Sequence, residues 1–243
     1  MESSAQTTIH SQSGDCTLVI MAKAPQPGRV KTRLAQHLPP PAITEFYRCL
    51  LDDTIALAKS LGTVHVAIMC PAADVTELES VVDGHLKVVA QKGDGLAAGL
   101  TSVFEHFVNG GQQRTIAFNS DSPHLPSTIL EAAFEILTSH DVVVGPTYDG
   151  GYYLVGAKAT HPALFEGDGM GTASALERLL SKAQALGLSV GFTPSFYDID
   201  VASDLIQLAA ELRNSPSRAP RTAAWLAEWE QTIAQSRTQT GNL

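Results

Sequence analysis

A short stretch of this chain, "MAKAPQPGRVKTRLA" (residues 21–35), concentrates positive charge. It holds four basic residues, which are Lys23, Arg29, Lys31 and Arg33. Arginine binds phosphate oxygens through paired hydrogen bonds, whereas lysine acts as a point charge. These residue types, placed close together, predict a binding site for a phosphate group. The alternative is a solvated basic segment that pairs with acidic residues elsewhere on the surface.

The residues between these cations predict how the backbone would present them. Prolines and Gly28 exclude a helix interior over 24–28, because proline lacks an N–H and glycine admits a positive φ. We expect a phosphate-binding loop that includes Ala24 and Gly28 and leads into a helix starting near Arg29. A helix N-terminus offers unpaired N–H groups and the positive end of the helix dipole. The GxxxxGK[ST] pattern of a Walker A loop is absent.

Two acidic motifs supply carboxylates of the kind that bind Mg²⁺ or Mn²⁺. Asp121 lies in "NSDSPHLP", directly after an apolar run, and Asp198 and Asp200 lie in "FYDIDVASDL". Successive side chains of an extended segment point to opposite sides, so Asp198 and Asp200 would point to the same side. One of them would complete a metal site with Asp121. The alternatives are a turn around Asp121, with His124 as a turn residue, and helix capping by the later aspartates.

A third motif, "GPTYDGGYYLVG", predicts a hairpin turn at Asp149-Gly150-Gly151 between two strands. The functional alternative is that Gly150 and Gly151 let an acceptor approach the backbone closely, with Asp149 as general base or acceptor ligand. Tyr152 and Tyr153 would point to opposite faces, so at most one lines the site, and we assign Tyr152 to it.

Short apolar runs alternate along the chain with longer segments of helical periodicity. Strands are predicted at 17–22, 64–70, 86–90, 114–119, 141–146, 151–156 and 188–192, and helices at 40–60, 95–108, 127–139, 171–187, 201–213 and 221–236. This order indicates βαβ units and a mainly parallel sheet covered on both faces. Ligands bind beyond the carboxyl ends of the strands in such sheets, which is where the motifs above would lie.

The pattern predicts a single core. We expect one domain over 15–213, preceded by a loose tail at 1–14 and followed by a linker and C-terminal helix over 214–243. Trp225 and Trp229 are four positions apart, so they form an apolar face that we expect to pack on the same domain.

Composition excludes several classes of protein. The chain has 243 residues, a formal net charge of −9 and a sequence pI of about 5.3, which argues against a general nucleic-acid binder. Its three cysteines form no CxxC pair, so neither a disulfide framework nor a zinc site is indicated. No apolar run approaches the roughly 20 residues of a membrane helix, and no secretory signal begins the sequence. We expect a cytoplasmic protein whose partners are small molecules, with the oligomeric state left open.

Taken in order, the motifs resemble one known family. The stretches that carry the resemblance are "VIMAKAPQPGRVKTRLA", "FNSDSPHLP", "DVVVGPTYDGGYYLVG" and "FYDIDVASDL". Over about residues 17–212 the chain is similar to the bacterial GT-A-like glycosyltransferases. Members of this family are also described as radical-SAM/selenodomain-associated transferases, and some descriptions attach arsenosugar biosynthesis to them. The resemblance implies the nucleotide-diphospho-sugar transferase fold, a three-layer α/β/α sandwich. It extends to nucleotidyltransferases, including guanylyltransferases of cofactor synthesis.

The resemblance also implies roles for particular residues. The loop after the first strand would grip nucleotide phosphates through Lys23, Arg29, Lys31 and Arg33, and Gln91 would join this site. A divalent metal, Mg or Mn, would be held by Asp121 and Asp200.

Two segments depart from the family pattern. Relatives carry Q-x-G-x-D-L-G-E-R, whereas "QKGDGLAAG" (91–99) keeps Gln91 and replaces the acidic and basic positions by Gly95, Ala98 and Gly99. Relatives also carry "WST" where this chain has "MGT" (170–172), so the acceptor pocket would differ.

Three functions are consistent with these patterns. The first is metal-dependent transfer from a nucleotide-activated donor, above all a nucleoside-diphosphate sugar, with Asp121, Asp149 and Asp200 as catalytic residues. The second is nucleotidyl transfer, which would join an NTP to a phosphorylated acceptor and release pyrophosphate. The third is nucleotide binding without turnover, which the altered 91–99 segment would favour.

Overall fold

The computed structural model describes residues 15–167 and 173–240. Its strands are β1 (Cys16–Met21), β2 (His65–Cys70), β3 (Lys87–Ala90), β4 (Arg114–Asn119), β5 (Val142–Pro146), β6 (Tyr152–Ala157) and β7 (Val190–Phe192). Its helices are α1 (Pro40–Ser60), α2 (Val75–Val81), α3 (Gly95–Phe107), α4 (Ser127–Ser139), α5 (Pro162–Phe165), α6 (Ala175–Ala185), α7 (Ala202–Asn214) and α8 (Pro220–Thr240). No helix in the described part of the chain is long and apolar enough to cross a membrane.

The strands form a seven-stranded sheet in the order β3-β2-β1-β4-β6-β5-β7. Every neighbouring pair is parallel except for β6, which runs antiparallel to β4 and to β5. The predicted mainly parallel sheet is therefore confirmed. Met21 at the end of β1 is in register with Asn119 at the end of β4. The basic stretch and the segment with Asp121 consequently leave the sheet side by side, at the same edge.

Helices cover both faces of the sheet because the strands are apolar on both sides. Leu18 and Ile20 of β1 pack into the core under α1, α2 and α4, whereas Val19 packs into the core under α3, α5 and α6. This arrangement is the predicted three-layer α/β/α sandwich.

A third apolar cluster joins α1, α7 and α8. The Trp225 ring lies 4.6 Å from the Phe46 ring and 5.5 Å from the Trp229 ring, between ring centroids. The tryptophan face therefore packs on the chain's own fold, as expected. The buried carboxylate of Asp53 in α1 accepts hydrogen bonds from the N–H groups of Arg221 and Thr222, and so caps the start of α8.

The helix predicted to start near Arg29 is absent. Residues 27–31 form turns, and only a five-residue 3-10 helix, Thr32–Gln36, follows. Lys31 precedes it with φ 47° and ψ 41°, a left-handed conformation that cannot begin an α-helix. The sequence analysis also missed α2, whose one buried residue is Leu78. The helix predicted over 171–187 begins at Ala175, after a turn at 173–174, and ends at Ala185, and the "MGT" segment lies outside the described residues.

Candidate functional site

A cleft of about 570 Å³ opens where β1 and β4 end, and we call it the basic cleft. The predicted phosphate and nucleotide residues that line it are Lys23, Arg29, Lys31, Arg33 and Gln91. Asp121 and Asp200 form one wall. A volume in this range suits a small organic ligand, so the fold brings most of the predicted site together in a cavity of useful size.

Ala24 and Gly28 do not line the cleft, although both were predicted to bind the nucleotide. Ala24 is fully buried, and its N–H donates a hydrogen bond to Asp74 Oδ2 at 3.0 Å. Gly28 has a φ of 76°, which the turn requires. These two residues shape the loop, and the loop in turn places its basic side chains.

Asp74 is a residue that the sequence analysis missed. Its carboxylate is fully buried, and Arg29 Nη1 lies 3.0 Å from Asp74 Oδ1. Arg29 also donates to Gln26 Oε1 at 2.6 Å, so its guanidinium is held along the edge of the loop. In the sequence, Asp74 resembles an ordinary acidic residue at the start of a short helix, and nothing nearby signals its partner.

Lys31 lies between the two predicted metal ligands. Its Nζ is 2.9 Å from Asp121 Oδ2 and 3.1 Å from Asp200 Oδ1, and its side chain is only 4% exposed. Burial alone would lower the pKa of Lys31, but the two carboxylates more than offset it and raise the pKa above its usual value. Lys31 is therefore a buried ammonium that bridges two carboxylates from distant parts of the chain.

A chain of hydrogen bonds orients Asp121 from the other side. The main-chain N–H of Lys23 donates to the Tyr47 hydroxyl at 3.0 Å, and that hydroxyl lies 3.1 Å from Ser120 Oγ. Ser120 Oγ donates to Asp121 Oδ1 at 3.4 Å. Burial raises the pKa of Tyr47 to about 12, so its hydroxyl stays protonated. Tyr47 could not be recognised from the sequence, because its position on the apolar face of α1 resembles that of a core residue.

The later aspartates have different partners. Asp204 Oδ2 accepts the N–H groups of Asp200 and Val201, both at 2.8 Å, which fixes the segment before α7 and confirms a capping role for Asp204. The pKa of Asp198 is raised to about 6. Burial is the largest cause, and the nearby charges of Asp200 and Asp121 add to it. Asp200 is the aspartate that shares the Lys31 ammonium with Asp121.

A second cleft of about 460 Å³ adjoins the first, and we call it the acidic cleft. It shares Arg33, Asp121 and Asp200 with the basic cleft and adds Asp149 and Asp198. Among the residues that the structure describes, its charged lining consists of four carboxylates and one guanidinium. The two clefts meet at Asp121 and Asp200 but differ in the sign of their charge.

The predicted hairpin at Asp149 borders the acidic cleft and joins the antiparallel strands β5 and β6. Asp149 Oδ1 accepts hydrogen bonds from Thr147 Oγ1 and, at 3.1 Å, from the N–H of Gly151. Gly150 has a φ of 91°, and a Cβ there would lie 2.0 Å from the carbonyl oxygen of Ala173. Gly150 is therefore required by the chain's own backbone, and it does not line either cleft as predicted for an acceptor-binding residue.

The two tyrosines that follow the hairpin lie on opposite sides of β6. Tyr152 packs against one sheet core and Tyr153 lies in the other. The Tyr153 hydroxyl is 2.6 Å from Thr193 Oγ1 and donates to the carbonyl of Pro194 at 2.9 Å. The predicted orientation of the two side chains to opposite faces is therefore confirmed, and both residues border the acidic cleft.

The altered 91–99 segment holds Gln91 in place. Gln91 Nε2 donates to the carbonyls of Gly93 at 2.9 Å and Gly95 at 3.2 Å. A Cβ on Gly99 would lie 2.7 Å from Gln91 Oε1 and 2.9 Å from Met21 Cε. A larger residue at position 99 would therefore require the Gln91 amide and the end of the Met21 side chain to move.

His124 was expected to be a turn residue, and it does lie in the turn that follows β4. The side chain is fully buried, and its ring centroid lies 4.8 Å from each of the Phe196 and Tyr197 rings. Burial and the charge of Arg218 lower the pKa of His124 to about 3. His124 is therefore a neutral packing residue.

Comparisons with known proteins agree with this architecture. Residues 54–172 match the family model described as "Uncharacterized protein conserved in bacteria (DUF2064)". A crystal structure described as a "putative nucleotide-diphospho-sugar transferase" from Desulfovibrio desulfuricans G20 superposes with a TM-score of 0.85 and 27% identity, covering 91% of this chain and 97% of that one. No protein of curated function matches the sequence.

More distant structures share the fold. A nucleotidyl transferase from Methanothermobacter thermautotroptrophicus has a TM-score of 0.56 at 18% identity, covering 83% of this chain and 100% of that one. The manganese complex of Rv0371C from Mycobacterium tuberculosis H37Rv has a TM-score of 0.52 at 18% identity, covering 80% and 97%.

Proposed function

We propose that this chain, a member of the nucleotide-diphospho-sugar transferase superfamily, is a metal-dependent glycosyltransferase that moves a sugar from a nucleoside diphosphate to a small hydroxyl-bearing acceptor. The observation that carries the proposal is the opposite charge of two adjoining clefts. We assign the donor to the basic cleft and the acceptor to the acidic cleft, with the reacting atoms between them at Asp121 and Asp200.

The basic cleft suits a diphosphate. Four basic side chains line it against two carboxylates. Lys23 and Arg33 are the cations best placed to bind it, since Lys23 is exposed and the side chain of Arg33 is 70% exposed, with a long ion pair to Asp200 at 3.4 Å. Gln91 lines the same cleft and is fixed by two hydrogen bonds. Its amide oxygen remains as an acceptor for a nucleotide N–H or O–H group.

The acidic cleft suits an acceptor that donates hydrogen bonds. A phosphorylated acceptor would face four carboxylates and, within the described part of the lining, the single guanidinium of Arg33. Hydroxyl groups, in contrast, donate to carboxylates and are favoured by this lining. This difference supports glycosyl transfer over nucleotidyl transfer, because a nucleotidyl acceptor of the kind considered above carries a phosphate.

A divalent metal, Mg²⁺ or Mn²⁺, fits the residues where the clefts meet. The Lys31 ammonium already stands between carboxylates of Asp121 and Asp200, so the pair is arranged to hold a cation. The described residues contain no group of three or more metal-binding side chains, so phosphate oxygens and water would supply the remaining ligands. When bound, the metal would neutralise charge on the departing diphosphate.

We assign to Asp149 the role of the general base that removes the proton of the acceptor hydroxyl. Its Oδ1 is held by Thr147 and Gly151, which orients the carboxylate at the edge of the acidic cleft. An acceptor hydroxyl would give its proton to Asp149 while its oxygen forms a bond to the anomeric carbon of the sugar. The bond from that carbon to the phosphate oxygen breaks, and the nucleoside diphosphate leaves with the bonding electrons.

A nucleotidyltransferase is the second candidate. The basic cleft would also accept a triphosphate, and the fold is shared with a nucleotidyl transferase. A binding protein without turnover is the third candidate, and it would use the basic cleft alone.

The test is a thermal-shift screen followed by a turnover assay. UDP-, GDP-, dTDP-, ADP- and CDP-sugars would be compared with free NTPs, each with and without Mg²⁺ or Mn²⁺, since a ligand of the folded state raises its stability. Stabilisation by one nucleotide sugar, followed by its metal-dependent cleavage, supports the proposal. Stabilisation by an NTP alone, with pyrophosphate release, would replace it by nucleotidyl transfer. Asp121→Asn should abolish cleavage, whereas Asp83→Asn, a surface substitution away from both clefts, should not.

A further inference from the structure

We propose that the Lys31 ammonium is a resident cation, which holds Asp121 and Asp200 until a divalent metal replaces it and then moves to the donor diphosphate. The inference rests on the proposed function only in placing a divalent metal at these two carboxylates. It gives Lys31 two successive partners, carboxylate first and phosphate second.

The contacts of Lys31 carry the first half of the inference. Its Nζ lies within 3.1 Å of one oxygen from each aspartate. A divalent ion held by those oxygens would stand beside the ammonium at a distance where two cations repel strongly. The ammonium and the metal therefore compete for one position.

The charge of the surrounding group favours the exchange. Asp121 and Asp200 both pair with the Lys31 ammonium, and Asp198 lines the adjoining acidic cleft together with them. Two carboxylates thus share one buried ammonium, with Arg33 at the exposed side of Asp200. A cation with two charges offsets this excess better than an ammonium does.

The position of Lys31 in the basic cleft supports the second step of the inference, the move of the ammonium to the diphosphate. Its side chain lines that cleft together with Lys23, Arg29 and Arg33. Its backbone has the left-handed conformation that lysine disfavours, so contacts of the residue must maintain it in the metal-free protein. A lysine side chain has four rotatable carbons, so the ammonium can leave the carboxylates and reach a phosphate in the same cleft without a change in fold.

Lysine labelling measures the exchange directly. The protein would be acetylated with a water-soluble ester, and modification at each lysine read by mass spectrometry. Lys31 should be protected in the metal-free protein, because its side chain is 4% exposed, and become several-fold more reactive with Mn²⁺. Addition of inorganic pyrophosphate with Mn²⁺ should restore the protection. Lys59 is 41% exposed in a remote ion pair and serves as the internal control. Unchanged or lower Lys31 reactivity with Mn²⁺ would overturn the exchange. Failure of pyrophosphate to protect would overturn the second step.

Manganese affinity supplies an independent readout. By titration followed with electron paramagnetic resonance, Lys31→Met should bind Mn²⁺ alone more tightly than the unchanged protein, on the order of tenfold. Lys59→Met removes a matched charge elsewhere and should bind as before. Equal or weaker Mn²⁺ binding by Lys31→Met contradicts the proposal. If that variant fails to fold, Lys31→Gly replaces it, since glycine tolerates the left-handed backbone.

These experiments use no nucleotide sugar. They therefore separate failure of this inference from failure of the proposed glycosyl transfer: the labelling and affinity results stand whichever donor is found. Loss of sugar transfer with intact exchange would refute only the proposed function.

Discussion

The main-chain N–H of Lys23 donates a hydrogen bond to the hydroxyl of Tyr47 across 3.0 Å, which ties the basic loop to helix α1. The same hydroxyl reaches Ser120 beside Asp121. One phenol thus connects the backbone of the proposed donor site with the carboxylate of the proposed metal site. The distance between these two parts of the site therefore depends on Tyr47, which also lines the basic cleft.

Tyr47→Phe should uncouple the two parts while it keeps the ring in the core. The N–H of Lys23 loses its acceptor, which should lower the free energy of unfolding by about 1–3 kcal/mol. Because Ser120 also loses a partner, Mn²⁺ binding should weaken as well. Urea denaturation and a Mn²⁺ titration would measure both effects. Tyr148→Phe, on an exposed side chain, is the matched control and should leave both unchanged. Wild-type stability and Mn²⁺ affinity in Tyr47→Phe would show that the connection has no effect.

Asp74→Ala should loosen the basic loop. The substitution removes the acceptor for the Ala24 N–H and the buried partner of Arg29, whose own side chain is 45% exposed. We expect a loss of unfolding free energy of about 1–3 kcal/mol, together with weaker donor binding. Thermal denaturation and the ligand screen would measure the two effects. Asp83→Ala breaks an exposed ion pair with Lys59, and it should change neither the unfolding free energy nor donor binding. An Asp74→Ala protein that binds its donor normally would contradict a role for this pair in shaping the cleft.

Gly99→Ala should affect the ligand more than the fold. The added Cβ would lie 2.7 Å from Gln91 Oε1, at the end of a side chain that can move. We expect Gln91 to be displaced in the basic cleft and donor affinity to fall several-fold, with a modest change in melting temperature. Gly84→Ala places its Cβ in open space and is the control. If donor affinity in Gly99→Ala equals that of Gly84→Ala, Gln91 has no part in binding.

His124 should make the protein less stable in acid. The unfolded state binds a proton near the ordinary pKa of 6.5, whereas burial lowers the pKa of the folded state to about 3. Between these values only the unfolded state is protonated, so the free energy of unfolding falls as pH decreases, by about 1.4 kcal/mol per pH unit from this residue. Above pH 6.5 the contribution is complete and no longer varies.

The matched variant for this pH dependence is His124→Phe, which keeps a ring between Phe196 and Tyr197 but does not titrate. Denaturation experiments from pH 7 to pH 4 would give the free energy of unfolding at each pH. We expect this free energy to fall less steeply with decreasing pH in this variant than in the unchanged protein. His85→Gln, at an exposed position, should keep the full slope. Parallel slopes in His124→Phe and the unchanged protein would mean that His124 is protonated in the folded state.

Local patterns in the sequence determined the architecture. Apolar runs predicted the seven described strands to within two residues at each end. The central strands are buried on both faces, so they are apolar almost throughout. The order of strands and helices then indicated the parallel sheet and the edge where ligands bind. Asp121 followed from this reasoning, because its position after β4 is a property of the neighbouring sequence.

Contacts between segments that are distant in the sequence decided the arrangement of the candidate site. The bridge from Lys31 to Asp200 spans 169 positions and the bond from Ala24 to Asp74 spans 50, so no local pattern reveals either. The sequence alone placed Lys31 on a helix with other phosphate-binding cations, whereas the fold buries its ammonium between two carboxylates. Charge can be counted along a chain, but which charges share a cleft depends on the tertiary fold. For that reason only the structure shows that the two adjoining clefts carry charge of opposite sign.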